Sequence, residues 1–164
     1  MATVLRKGVS VETIGELPAI GSIAPDFTLT QADLSDIQLN ALKGQTVILN
    51  IFPSIDTPTC ATSVRQFNAR ATSMQGVVVI CVSADLPFAL GRFCGSEGID
   101  KVLTGSSFRS TFGQDYQVSF ITGALKGLLS RSVIVIDPDG IVRYVEQVAN
   151  TSDEPNYDAA LAAI

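Results

Sequence analysis

The chain has 164 residues, 46% of them hydrophobic and 16% charged, with 11 Lys and Arg against 16 Asp and Glu for a net charge of −5. That apolar content excludes a disordered chain, the acidic balance without a basic run argues against nucleic acid as a partner, and no apolar stretch approaches the roughly 18 residues of a membrane span. Histidine is absent, which removes Ser-His and Cys-His nucleophile pairs, imidazole proton shuttles and most catalytic zinc sites.

Residues 3–11 alternate loosely around Lys7-Gly8, the pattern of a short hairpin. Residues 21–25 read as loop and 27–30 as the start of a short alternating strand. Residues 46–52 are almost wholly apolar and rich in β-branched side chains, as expected of a central strand covered on both faces. Pro53 stops that strand. From Pro58 the spacing of Ala61, Val64, Phe67 and Ala71 is helical, with Gly76 closing the unit. Residues 77–82 predict a second buried strand, 86–94 a short helix bounded by Gly95, and 101–104 a third strand. Residues 132–137 predict a strong strand, Asp139-Gly140 a hairpin turn into 141–148, and the segment after Pro155 an amphipathic helix with Tyr157, Leu161 and Ile164 on one face.

Strands alternating with helices and then a terminal hairpin imply an α/β fold, a mixed sheet with one antiparallel edge. No repeat or linker divides residues 1–164, which read as a single domain. The active crevice of such a sheet lies at the carboxyl ends of its strands, where the segments 53–60 and 83–94 emerge.

The second of those expectations sharpens at Thr57-Pro58-Thr59-Cys60. Thr57 is a helix N-cap candidate and Pro58 suits the first helical position, so Cys60 falls third in the first turn. There its sulfur sits near unpaired backbone N–H groups and the positive end of the helix dipole. Both favour the charged form of the sulfur. A more abundant thiolate is not a sufficient catalyst; attack on an oxygen also needs donors that stabilise the leaving oxygen. Cys81, inside the apolar run 77–82, is expected to be a small buried hydrophobe. The first eight residues carry Arg6 and Lys7 but no apolar segment like that of a secretory signal. With three cysteines, this leads us to expect a reducing, cytoplasmic setting.

The stretch 50–60 carries the Pro-x-x-x-Thr-x-x-Cys signature, Pro53 to Cys60, and resembles the peroxiredoxins. The combination of 60–68 (CATSVRQFN), 83–89 (SADLPFA) with Arg92-Phe93-Cys94-Gly95, and 125–128 (LKGL) with Arg131 is similar more narrowly to the bacterial thiol peroxidase subfamily. The resemblance runs from about Gly21 to the C-terminal helix. It implies a thioredoxin-like mixed sheet flanked by helices, with an added N-terminal β-hairpin, and reduction of hydrogen peroxide and organic hydroperoxides. By the same resemblance Cys60 is the peroxidatic cysteine and Thr57 the threonine that contacts thiolate and peroxide. Pro53 shields the sulfur from water, Arg131 polarises the peroxide, and Cys94 is the resolving cysteine of an intrachain Cys60–Cys94 disulfide.

It further implies a thioredoxin-like reductant and a homodimer. No metal or prosthetic group is expected, since sulfur carries both electrons. In the reduced chain the two cysteines are expected more than about 7 Å apart between Cα atoms, so that helix opening precedes disulfide closure. A peroxide-responsive sensor or holdase using the same disulfide is the competing reading. The trio Pro53, Thr57 and Arg131 favours the enzyme, because a bare switch has no need of an organised peroxide site.

Overall fold

Alternation of side chains across one pleated strand divides the core in two. The computed structural model describes Met1–Ile164. Strands β1 (Thr3–Arg6) and β2 (Val9–Glu12) form an antiparallel hairpin, followed by the short antiparallel pair β3 (Thr28–Thr30) and β4 (Asp36–Gln38). Then come β5 (Thr46–Ile51), α1 (Pro58–Ala71), β6 (Val77–Ser83), α2 (Pro87–Glu97), β7 (Leu103–Ser106), the single-turn α3 (Phe112–Asp115), β8 (Ser132–Ile136), β9 (Val142–Gln147) and α4 (Tyr157–Ala162). Seven strands make one sheet in the order β4-β3-β7-β6-β5-β8-β9.

The centre is parallel, β5 with β6 and β6 with β7, as the crossovers through α1 and α2 require. Both flanks are antiparallel, β8 against β5 on one side and β3 against β7 on the other. The mixed sheet with flanking helices and the N-terminal hairpin are thus as expected, but two antiparallel flanks replace the one. On the missed flank β3 falls where a short strand was expected, at 27–30, but its partner β4 is three residues long, too short to show a period of two.

In β5 every residue is buried. Leu49 and Ile51 face one cluster with Ile80, Ile134, Phe27, Phe112 and Tyr116; Ile48 faces the other with Val79, Val133, Val64, Phe67 and Leu90. A strand buried on both faces explains the unbroken apolar run. On the helical side α1, α2 and α4 cover the sheet, and Phe67 meets Tyr157 edge to face at 5.2 Å between ring centres.

Three boundaries differ from expectation. Helix α1 ends at Ala71, five residues before Gly76. Gly95 lies inside α2, which runs to Glu97 and stops at Gly98 in the left-handed region, φ +65°; a helical glycine costs little compared with the αL cap that ends the helix. The third strand begins at Leu103, not Lys101. In α4 Tyr157 is buried as expected, but Ile164 lies past the helix and is exposed. No helix is long and apolar enough to cross a membrane.

Candidate active site

Strand β5 ends at Ile51, and the loop that follows delivers Pro53, Thr57 and then α1, so that Cys60 is the third residue of the first turn. Thr57 takes the extended N-cap conformation with Pro58 just inside the helix. Its hydroxyl does not cap: Oγ1 donates to the Ser54 carbonyl at 3.0 Å. The N–H groups of Thr59 and Cys60 are consequently left without a protein partner, which preserves the positive character of the helix start.

Arg131 precedes β8 and is only 3% exposed. Its Nη2 donates to Cys60 Sγ at 3.3 Å and to the Thr151 carbonyl at 3.0 Å, and its Nε donates to the same carbonyl at 3.3 Å. Nη1 is buried with no partner. No carboxylate lies within ion-pair distance of this guanidinium. A buried cation without a counter-charge costs several kcal/mol (about 3–5 when a partner is removed). Among the groups bonded to it, only the Cys60 sulfur is able to carry a negative charge. Nη1 thus keeps a donor capacity that no protein acceptor uses.

Pro53, Thr57 and Arg131 line one cavity of about 330 Å³, with Pro58 and with Leu125 and Leu128 from the loop before β8. Cys60 does not line it and is fully buried; the guanidinium is what joins cavity and sulfur. A larger open depression of about 480 Å³ lies between β3, β4 and α3 and contains no cysteine. Cys94 sits in α2, half-buried against the same helical-side cluster as Cys60, and burial pushes its thiol up. All three cysteines are free thiols. The structure therefore gathers Pro53, Thr57, Cys60 and Arg131 at one place and holds Cys94 apart from that cavity in an intact helix.

Several contributors escaped sequence reasoning. Asp85, at the end of β6, accepts from Ser54 Oγ at 2.8 Å, Ile55 N at 2.7 Å and Ser83 Oγ at 2.7 Å, tying the Cys60 loop to the segment that starts α2. Arg92–Asp56 and Arg65–Glu97, at 3.0 and 2.7 Å, bind α2 to that loop and to α1. Asn50 lies fully buried below α1, donating to Ser63 Oγ at 3.2 Å, while Ser63 donates to the Cys60 carbonyl at 2.7 Å. The available signal for Asn50 was its polarity in the middle of an apolar run; an unforced polar residue there needs a partner. Arg6 and Lys7 also line the cavity, and nothing local in the hairpin sequence points there.

Residues 19–161 match the model of the Redoxin family. Across 164 residues the chain is 53% identical to the thiol peroxidase of Mycobacterium tuberculosis, covering 100% of this chain and 99% of the relative. It is 49% identical, with the same coverage, to the thiol peroxidase of Corynebacterium glutamicum. A crystal structure of a peroxiredoxin-like protein from Aquifex aeolicus superposes with a TM-score of 0.93 at 38% identity, over 99% of this chain and 97% of that one.

Proposed function

The chain belongs to the Redoxin family and is a thiol-dependent peroxidase of the peroxiredoxin type, and from that premise we propose that the reaction runs through Cys60 with Arg131, Thr57 and Pro53 around it and Cys94 as its resolving partner. The Cys60 thiolate attacks the terminal oxygen of a hydroperoxide. An S–O bond forms as the O–O bond breaks, the electron pair leaves on the departing oxygen, and protonation gives an alcohol, or water from hydrogen peroxide. Cys60 becomes a sulfenic acid. The Cys94 thiol then displaces the sulfenic oxygen as water to close a disulfide, and an external dithiol of the thioredoxin type returns both thiols.

The observation that carries this reading is the buried Arg131 with one nitrogen 3.3 Å from Cys60 Sγ and another unpartnered. One donor favours the attacking anion and the spare one meets the charge that develops on the leaving oxygen. The Thr57 hydroxyl, held by the Ser54 carbonyl, keeps lone pairs free toward the cavity, and Pro53 contributes carbon that excludes water. Residues 1–164 act as one domain in this reading. The family resemblance suggests a thioredoxin-type reductant and a homodimeric assembly, and the three cysteines suggest a reducing, cytoplasmic setting.

Intact mass under non-reducing conditions after one equivalent of peroxide tests the two cysteine roles. The native chain is expected to lose two hydrogens, and Cys94→Ser to gain one oxygen that a sulfenic-acid trap captures. Masses unchanged in both would refute the assignment. With excess peroxide and a dithiol, many equivalents are consumed per chain; arrest after one equivalent would instead indicate a sensor.

A further inference from the structure

Of the 11 cationic side chains, Arg65, Arg70, Arg92, Arg109 and Arg143 are held in ion pairs. Three of the others, Arg6, Lys7 and Arg131, line the cavity beside Cys60, and no Asp or Glu lines it. In a chain with net charge −5 this reverses the local sign, and converging cations in a cleft attract an anionic ligand. The cavity, about 330 Å³, is on the order of ten times the ~30 Å³ share of one water molecule, well beyond what hydrogen peroxide fills. Pro53, Pro58, Leu125 and Leu128 give it apolar walls.

The cationic rim is held in place by backbone. Lys7 and Gly8 form the two-residue turn between β1 and β2, both with positive φ, +50° and +78°. Such turns favour Asn, Asp or Gly at the first position; here a lysine occupies it. The hairpin is anchored where Leu5 N–H donates to the Ala149 carbonyl at 2.8 Å and Thr151 N–H donates to the Leu5 carbonyl at 2.9 Å. The Thr151 carbonyl is also the acceptor that holds Arg131. One short segment thereby fixes both the hairpin tip and the guanidinium at the sulfur.

We propose that Arg6 and Lys7 form a carboxylate subsite at the cavity mouth, so that the favoured substrates are amphipathic hydroperoxy acids: the anionic head at the hairpin, the alkyl chain along the proline and leucine walls, and the –OOH group against Arg131 and Cys60. This rests on the reading of Cys60 as the peroxide-attacking sulfur. The carboxylate takes no part in the electron transfer; the peroxide is reduced by two electrons from Cys60 as before and the product is the hydroxy acid.

The test compares kcat/KM for a hydroperoxy fatty acid and its methyl ester, both below micelle-forming concentration, with dithiothreitol as reductant and hydrogen peroxide run in parallel. At low salt the acid is expected to be favoured about fivefold, the upper range for exposed charge contacts. The preference shrinks below about twofold at high ionic strength and is lost in the double variant Arg6→Gln, Lys7→Asn. Asn suits the positive φ at position 7, so the hairpin is retained and the melting temperature does not fall. An acid-to-ester ratio near one in the native chain, or a ratio unchanged in the double variant, overturns the subsite and leaves the peroxidase reading standing. A native chain that turns over none of the three substrates overturns both.

Discussion

Cys60 and Cys81 are equally buried, belong to the same helical-side cluster, and lie in opposite electrostatic neighbourhoods. Cys81 sits in mid-strand on β6, opposite Asn50 on one neighbouring strand and Thr104 on the other. Its one polar contact is a weak 3.7 Å donation from Asn50 Nδ2, and burial pushes its thiol up to about 12. Cys60 begins a helix, has unpartnered N–H groups beside it, and touches a buried guanidinium that opens onto a cavity. On the proposed assignment of Cys60 as the attacking sulfur, the difference teaches that burial alone does not make a thiol inert. Inertness comes from burial without a charge to answer it; reactivity comes from a buried cation that has no other anion.

The comparison breaks most visibly by exchanging the sulfurs one at a time. Cys60→Ser is expected to lower peroxide turnover by more than about a thousandfold, whereas Cys81→Ala stays within about twofold; steady-state turnover with excess dithiol reads both. A collapse in the Cys81 variant would mean the two roles are misassigned. Next in size, Arg131→Gln removes the charge and the spare donor and keeps a side chain able to bond Thr151. Loss of a donor to a developing oxyanion costs on the order of a hundredfold in rate. The single-turnover rate of sulfenic-acid formation should fall by that amount, with unfolding midpoints measured alongside. An unchanged rate would leave the cation at Cys60 without a catalytic purpose.

A smaller effect falls on both regions together. Asn50 Nδ2 donates to Ser63 Oγ and to Cys81 Sγ, and Ser63 holds the Cys60 carbonyl. Its Oδ1 is buried without a partner. Asn50→Ala opens a cavity and strands Ser63, for an expected loss of about 2–3 kcal/mol in urea unfolding. Because Ser63 then loses the donor that orients its hydroxyl toward the Cys60 carbonyl, peroxide attack should also slow by several-fold. A stability loss with an unaltered rate would confine Asn50 to packing.

How far the sequence reached differs between these regions for the same physical reasons. Strands β5, β6 and β8 were readable because burial on both faces leaves long apolar runs, and the start of α1 because Thr-Pro sets local dihedrals. What local patterning could not carry was anything decided by distant partners. Strand β4 is too short for a period, so the antiparallel flank that β3 joins was not foreseen, and α3 is a single turn. Arg131 was assignable only through the family resemblance, on the 125–128 (LKGL) stretch before it, since its contact with Cys60 spans 71 positions. Thr57 was placed correctly as the N-cap residue, yet its hydroxyl turned to Ser54 instead of the helix. Arg6 and Lys7 reach the cavity only because β1 docks beside Asn150.

The least of the expected effects is a pH dependence peculiar to Cys81. In the unfolded chain its thiol loses a proton near roughly pH 8.5; folded, it holds that proton to about 12. Between those values the unfolded state binds fewer protons than the native one, so the contribution to stability falls as pH rises, at up to about 1.4 kcal/mol per unit. By pH 10 the accumulated loss is ~2 kcal/mol, and Cys81→Ala is spared it. Cys94 is also raised by burial, but it is common to both proteins and cancels in the difference. Tyr116 and Tyr157, raised chiefly by burial, add their own decline only above the ordinary tyrosine range near 10. Urea midpoints under reducing conditions should therefore place Cys81→Ala below the native chain at pH 7, by about 1 kcal/mol for the lost packing, and bring the two together or cross them by pH 10. Parallel profiles would mean that the Cys81 proton is as easily lost inside the sheet as outside it, and the contrast with Cys60 would then rest on access alone.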